Sequence, residues 1–367
     1  MRGAFIESVS VAVGEFRLPP NEIPEVLPQQ LLMLQSVADA LKNAGRNTRD
    51  RDERTGVIIG MGLDLNTTNF HHRWWLLPRA RRWMRSLGLK LNDQQFARWV
   101  DALRKQSGPP LTPGRVLGAL GNIIASRIAR EFSFGGPSFA VSAEEASGLR
   151  ALEIAVRALQ RREIDTAVVG AVDLPGDVRN VLATHAVRPY SKRGQVRPFD
   201  VSADGTVLGE GAVSVVLKRL PDAIAAGDRI YSVVRGLGFA SGDTARPTSE
   251  TYRTAMERAY QDADVSPRSV QYIEAHGSGD PLDDQVAVSG GGVHRIEEPF
   301  RVTTEAFQVG SVHNPGYDRV VCLVSIEHRP KAIEVLLVAC VCGQLAIEEW
   351  LHGVNGEHNL DLLALTE

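Results

Sequence analysis

An α/β protein with sheets covered on both faces is predicted from two features of the 367-residue sequence. Short, continuous apolar runs recur along it, and amphipathic helical stretches alternate with them. Low-complexity segments and short repeats are missing from the pattern.

The elements follow in order. Residues 29–44, "QQLLMLQSVADALKNA", place Leu31, Leu34, Val37, Ala38 and Leu41 at helical spacing, with Gly45 as the stop. "TGVIIG" at 55–60 reads as a buried strand. Residues 142–160 form a second helix pattern through Leu149, Leu152, Val156 and Leu159. "TAVVGAV" at 166–172, "AVSVVL" at 212–217, "IYSVVR" at 230–235 and "VQYIEA" at 270–275 read as further strands. "TYRTAMERAY" is a helix between the last two, and "PDAIAAGD" at 221–228 reads as the join between two halves.

Composition is that of an ordinary globular chain, 43% hydrophobic and 23% charged. A net charge of −3 argues against a mainly nucleic-acid-binding protein. The three cysteines, Cys322, Cys340 and Cys342, are an odd set clustered late in the chain. They suit neither a disulfide framework nor zinc-knuckle spacing, so no metal and no cofactor is expected. No secretory leader pattern is present and no apolar run reaches the ~20 residues of a membrane span. A cytoplasmic protein without membrane contact is the expectation.

Residues 65–92 stand apart. They hold Arg73, Arg79, Arg81, Arg82, Arg85 and Lys90, interleaved with Trp74, Trp75 and Trp83, and no acidic residue. A docking surface for an acidic partner, centred on Arg81, Arg82 and Arg85, is one reading. Nucleic acid is another, disfavoured by the acidic whole. The third is an amphipathic excursion with core tryptophans and solvated arginines.

Three stretches carry chemistry. "GPSFAVSAEEASG" (136–148) reads as a strand turning sharply onto a helix N-terminus. "RPFDVSADGTVLGEGAV" (197–213) is dense in Gly and Asp. "EAHGSGDPLDD" (274–284) is a strand end with His276 in a Gly-rich turn. In this order and spacing they resemble the β-ketoacyl synthase (ketosynthase) family of fatty acid and polyketide synthesis. That family shows Gly-Pro-Ser-x-x-Val-Asp-Thr-Ala-Cys-Ser-Ser, then Arg-Pro-Phe-Asp with Ala-Asp-Gly and Gly-Glu-Gly-Ala, then Glu-Ala-His-Gly-Thr-Gly. "LPQQLLMLQSVADALKNAG" (27–45) and "RTGVIIG" (54–60) add weaker agreement, and the likeness covers about residues 16–285.

The resemblance implies a thiolase-like fold, two similar α/β halves in stacked helix and sheet layers. An N-terminal half at 1–220, a C-terminal half at 221–330 and a tail at 331–367 without assigned structure are the expected divisions, the second half being incomplete. It also implies a chemistry. A thiolate at a helix N-terminus accepts an acyl chain from an acyl carrier protein, and two histidines assist decarboxylation and hold the oxyanion.

Residue by residue, His276 matches the first of those histidines, and Phe199, Asp204 and Gly205 are carried over as substrate-binding positions. The acyl-accepting Cys falls on Glu145, flanked by Ser142 and Ser147. Ser142-x-x-Glu145 has the residue types of a capping box, which gives Glu145 a structural explanation.

The second histidine has no counterpart in "GSVHNPGYD" (310–318). His313 falls at a Lys position, and Asp318 falls at the His position, or Tyr317 with a one-residue gap. The stretch between "PLDD" and "GSV" shows no helix pattern. A divergent, truncated or frame-shifted end each accounts for the sequence after about residue 286.

Members of the family without the nucleophile include chain-length-factor proteins, which pair with an active ketosynthase and shape its pocket. The expectation is such a non-condensing protein, working with an acyl carrier protein as a homodimer or as a heterodimer with an active ketosynthase. An atypical synthase or malonyl-carrier decarboxylase, and an inactive truncated product, stay open beside it.

Overall fold

The computed structural model describes residues 3–46, 51–62, 70–108, 110–242, 246–270, 273–290, 302–303, 333–335 and 338–343. In chain order its elements begin with β1 (Gly3–Ala4), α1 (Pro28–Asn43), β2 (Thr55–Met61), α2 (Phe70–Ser86), α3 (Asp93–Gln106), α4 (Pro113–Ala119) and α5 (Ile123–Glu131). Next come β3 (Ser138–Val141), α6 (Ser147–Gln160), β4 (Thr166–Asp173), α7 (Val178–Val187), β5 (Leu208–Gly209), β6 (Gly211–Lys218) and α8 (Leu220–Ala226). The last are β7 (Ser232–Val234), β8 (Leu237–Gly242), α9 (Ser249–Ala263), β9 (Ile273–Glu274), α10 (Pro281–Gly290), β10 (Val302–Thr303), β11 (Ile333–Val335) and β12 (Val338–Gly343).

Four strands form the central sheet in the order β3-β2-β4-β6, the first three parallel and β6 antiparallel to β4. Alternation along β2 and β4 sends side chains to two different layers. Val57, Ile59, Val168 and Val172 pack with Leu34, Val37 and Leu41 of α1 and with Ile124 and Ile128 of α5. Ile58, Ala167 and Val169 face the other way, onto Ala151, Ala155 and Leu159 of α6. Every residue of β2 is buried, as its unbroken apolar run predicts.

Helix α6 has a second apolar side. Leu149, Leu152 and Val156 pack with Leu237 and Phe239 of β8, and α9 covers β8 in turn. Helix, sheet, helix, sheet and helix are thus stacked around α6. β8 pairs in parallel with β12, which sets the backbones of Cys340 and Cys342 in register with Phe239 and Ser241. β7–β11 and β9–β10 are also parallel pairs.

The structure departs from the expectations at four points. β6 is an edge strand. Ala212 and Val216 pack toward α1, but Val213 and Val215 are exposed, so this run is covered on one face only. The join at 221–228 is a short helix, α8, closed by Gly227 in the left-handed region. α10 follows directly on "HGSGD", where no helix was expected; Pro281 and the acidic pair Asp283 and Asp284 stand in its first turn, as suits a helix start. Finally, α6 begins at Ser147, five residues later than its apolar period suggests.

Among the described residues, no helix is long and apolar enough to cross a membrane.

Candidate functional site

The turn between β3 and α6 is built by its own short side chains. Glu144 takes a left-handed conformation, φ 50°, which reverses the chain. The Ser147 hydroxyl then knits the turn, accepting from the Ala143 amide at 2.9 Å and donating to the Glu144 carbonyl at 2.6 Å. α6 starts after this knot, with Ala146 as N-cap and no side-chain cap. The capping box expected from Ser142 and Glu145 therefore does not form, because Glu145 precedes the N-cap instead of following it. The turn lies tight on the sheet: a β-carbon on Gly60 of β2 would collide with the backbone of Ser147 and Gly148.

Freed from capping, Glu145 is exposed (69%) and forms an ion pair with Arg188, whose side chain is mostly buried (18%). Arg188 follows α7 and anchors its backbone on the Thr184 carbonyl at 2.7 Å. Its Nε lies 4.0 Å from Asp283 Oδ2. Arg246 continues the chain of charges, reaching Asp280 at 3.0 Å, Asp283 at 3.4 Å and the Val187 carbonyl at 3.0 Å. Burial opposes the charge on Arg188, but Glu145, with Asp283 and Tyr252 adding to it, raises its pKa. Burial likewise raises Asp283, against the pull of Arg188 and Arg246.

His276 lies two residues beyond β9, in a turn where Gly277 and Gly279 both have positive φ. Its imidazole keeps contact with solvent, yet the protein around it lowers its pKa from the usual 6.5. Desolvation is the largest cause, Arg188 adds to it, and Glu145, Asp283 and Asp284 oppose it. The result is a neutral imidazole at pH 7, with one ring N–H to donate.

Phe199, Asp204 and Gly205 frame this turn. The Phe199 amide donates to Asp284 Oδ2 at 2.9 Å, and the same carboxylate accepts from Gly279 at 3.3 Å. Gly205, at φ 131°, donates to the Gly279 carbonyl at 2.9 Å, and a β-carbon there would strike the Pro189 carbonyl. Asp204 accepts from Ser191 at 2.6 Å and from Arg197 at 3.4 Å; the Ser191 hydroxyl is the main cause that holds its carboxyl below the usual range. These contacts position the backbone on which His276 sits.

The structure therefore brings Glu145 and His276 into one cluster and adds Arg188, Asp283, Asp284 and Arg246, which the sequence reading does not single out. Arg188 has no local signal, since 43 residues separate it from Glu145. Arg81, Arg82 and Arg85 lie elsewhere, exposed on α2. Trp74 (74%) and Trp75 (58%) are also exposed, so these tryptophans are not core. Residues 310–318, with His313, Tyr317 and Asp318, fall outside the described residues. Among the described residues, no group of three His, Cys, Asp or Glu could hold a metal.

Two family patterns match the chain: "Beta-ketoacyl synthase, N-terminal domain" over residues 2–223 and "Beta-ketoacyl synthase, C-terminal domain" over residues 231–312. The chain is 28% identical over 293 residues to a polyunsaturated fatty acid synthase protein of Thraustochytrium sp., covering 78% of this chain and 10% of that protein. It is 31% identical over 289 residues to a mycocerosic acid synthase-like polyketide synthase of Mycobacterium tuberculosis, covering 77% and 12%. Among solved structures, an oxazolomycin ketosynthase domain from Streptomyces albus JA3453 is similar with a TM-score of 0.59 and 27% identity, over 78% of this chain and 45% of that one. The chain thus spans about a tenth of these curated relatives and under half of the solved domain.

Proposed function

Since the chain belongs to the β-ketoacyl synthase family and has its thiolase-like fold, we propose that it is a ketosynthase-like protein of polyketide or fatty acid synthesis that does not itself condense acyl chains. In this reading it acts as a chain-length-factor-like partner: it pairs with an active ketosynthase, or with a second copy of itself, and meets an acyl carrier protein. The division near residue 220 into two halves belongs to the same reading.

One observation carries it. Glu145, aligned by motif with the acyl-accepting Cys, is ion-paired with Arg188. A carboxylate attacking a thioester would form a mixed anhydride, which water cleaves readily. Pairing with a guanidinium withdraws electron density from that carboxylate and weakens it further as a nucleophile. Ser147 does not replace it, because its hydroxyl is engaged within the turn.

The test is acylation. Purified protein is incubated with an acyl-carrier or acyl-CoA donor and its intact mass taken. An unchanged mass is expected. A stable adduct mapped to Ser142 or Ser147 would replace this reading with that of an atypical synthase. Carbon dioxide release from malonyl-carrier without an adduct would replace it with that of a decarboxylase.

A further inference from the structure

We infer that Arg188 is a carboxylate-binding residue whose occupant in this structure is the chain's own Glu145, so that a short external carboxylate competes with Glu145 for the guanidinium. The inference rests on the reading of this cluster as the site of the family's chemistry, but it concerns binding and not acyl transfer.

The two partners are unequal. Arg188 is mostly buried and Glu145 mostly exposed, so the carboxylate reaches in from solvent to a cation fixed in the protein. The cation does not depend on that visitor for its place. Its backbone is tied to Thr184, and Asp283 stands 4.0 Å from its Nε. Removing Glu145 therefore leaves the guanidinium mostly buried, with Asp283 as its remaining acid.

The contact is also single-pronged. Arg188 donates from Nη1 to Glu145 Oε1, whereas a guanidinium fork can offer two parallel N–H groups to a planar carboxylate. A free carboxylate, unconstrained by the β3–α6 turn, can meet both.

The other acids around the cluster are committed. Asp280 is bound to Arg246 and to the amide of Leu282. Asp283 lies between Arg188 and Arg246. Asp284 accepts from the amides of Phe199 and Gly279. Glu145 is the exposed acid of the set, and its departure leaves Arg188 with less than its full complement of negative charge. His276 lies within the electrostatic reach of both Arg188 and Glu145.

The chemical class follows from the present occupant: a planar, singly charged carboxylate on a short stem. Sodium acetate is the probe, with acetamide as its neutral isostere and sodium chloride holding ionic strength constant. Thermal midpoints of the full chain are followed against probe concentration for the wild type, Glu145→Ala, Glu145→Gln and Glu145→Ala/Arg188→Met.

Acetate should stabilise Glu145→Ala with a half-effect at least tenfold lower in concentration than for the wild type. Acetamide should do nothing, and the double variant should not respond. Glu145→Gln keeps the side-chain volume, serves if the alanine variant does not fold, and should also bind acetate more tightly than the wild type. Equal half-effects in wild type and Glu145 variants, or an undiminished response without Arg188, would overturn the inference. Neither result depends on whether the protein accepts an acyl group, which the mass measurement reads separately.

Discussion

Asp284 accepts a hydrogen bond from the Phe199 amide at 2.9 Å, joining segments 85 residues apart. Phe199 holds a left-handed conformation, φ 59°, which aims its amide at the carboxylate. The second oxygen takes the Gly279 amide, so one buried side chain ties the "RPFD" loop to the turn that carries His276. Asp284→Ala strands two amides in the protein interior. It should cost roughly 1.5–3 kcal/mol, the range for hydrogen bonds to a charged group. Asp284→Asn keeps one acceptor oxygen and should cost about half. Urea midpoints at an unchanged slope check this, and an Asp284→Ala protein as stable as the wild type would mean that the clamp is idle.

His276 should titrate below 6.5. Desolvation lowers it, Arg188 lowers it further, and Glu145 pulls it up. Glu145→Gln should move the midpoint down and Arg188→Met should move it up, read from the imidazole C2 proton by NMR. The linkage has a definite sign. A base whose pKa is lower folded than unfolded binds fewer protons when folded. Its contribution is therefore present above 6.5 and lost as pH falls from 6.5 toward the folded midpoint. Solvent contact keeps that contribution small, so the NMR midpoint is the sharper measurement.

Much of the fold is legible in the sequence. β2 and β4 are unbroken apolar runs, and α1 has a clean helical period closed by Gly45 at φ 67°. Those signals are local and need no partner. The start of α6 is harder. Ser142-x-x-Glu145 has the residue types of a capping box, but a left-handed Glu144 and the Ser147 hydroxyl use those positions for a turn. A capping box does form elsewhere, between Asn92 and Gln95 at the start of α3, where the left-handed residue, Gly88, lies before the capping positions and not within them.

α10 is a different kind of miss. Pro281 and two acids mark its start, so a signal is present. Its ten residues, PLDDQVAVSG, hold too few large apolar side chains to show a helical period. Arg188, Asp283 and Arg246 are the least legible residues of the cluster, because long-range ion pairs leave no spacing to read. Their partners are set only when α7, the segment before α9, and α10 meet.

The exposed face of α2 should bind an acidic partner if the docking reading holds. Residues 70–108 carry nine Lys and Arg against two Asp, a net charge of +7 on a chain whose total is −3. Arg81, Arg82 and Arg85 stand exposed on the same helix as the solvent-facing Trp74 and Trp75. Arg73 serves another purpose, donating to the Arg104 and Gly108 carbonyls at 2.6 Å and so closing the end of α3. Reversing charge at Arg81, Arg82 and Arg85 should slow association with an acyl carrier protein about tenfold or more at low salt, and less at physiological salt. Stability should hardly change. Equal on-rates at low ionic strength would return these arginines to a solvated face.

Glu145→Cys sets the cluster its most demanding test. The introduced thiol would stand just before the α6 N-terminus and in the field of the Arg188 cation, and both favour a thiolate. Iodoacetamide should therefore alkylate position 145 faster than an ordinary free cysteine at pH 7, as read by peptide mass against Cys322, Cys340 and Cys342. Slow self-acylation from an acyl-CoA should follow. Chain extension should not, because an oxyanion needs donors in the right place and, of the two histidines that the family resemblance implies, the described residues supply His276 alone. Loss of one such donor typically lowers a rate by about 10²–10³. Arg188 adds a second constraint. With Glu145 gone, its cation favours the thiolate form, which lowers the pKa but also the nucleophilicity of the sulfur. Fast alkylation with slow acyl transfer is the combined signature. Condensation at the rate of an intact ketosynthase would show that a second donor is in place, and residues 310–318 would be where to look for it.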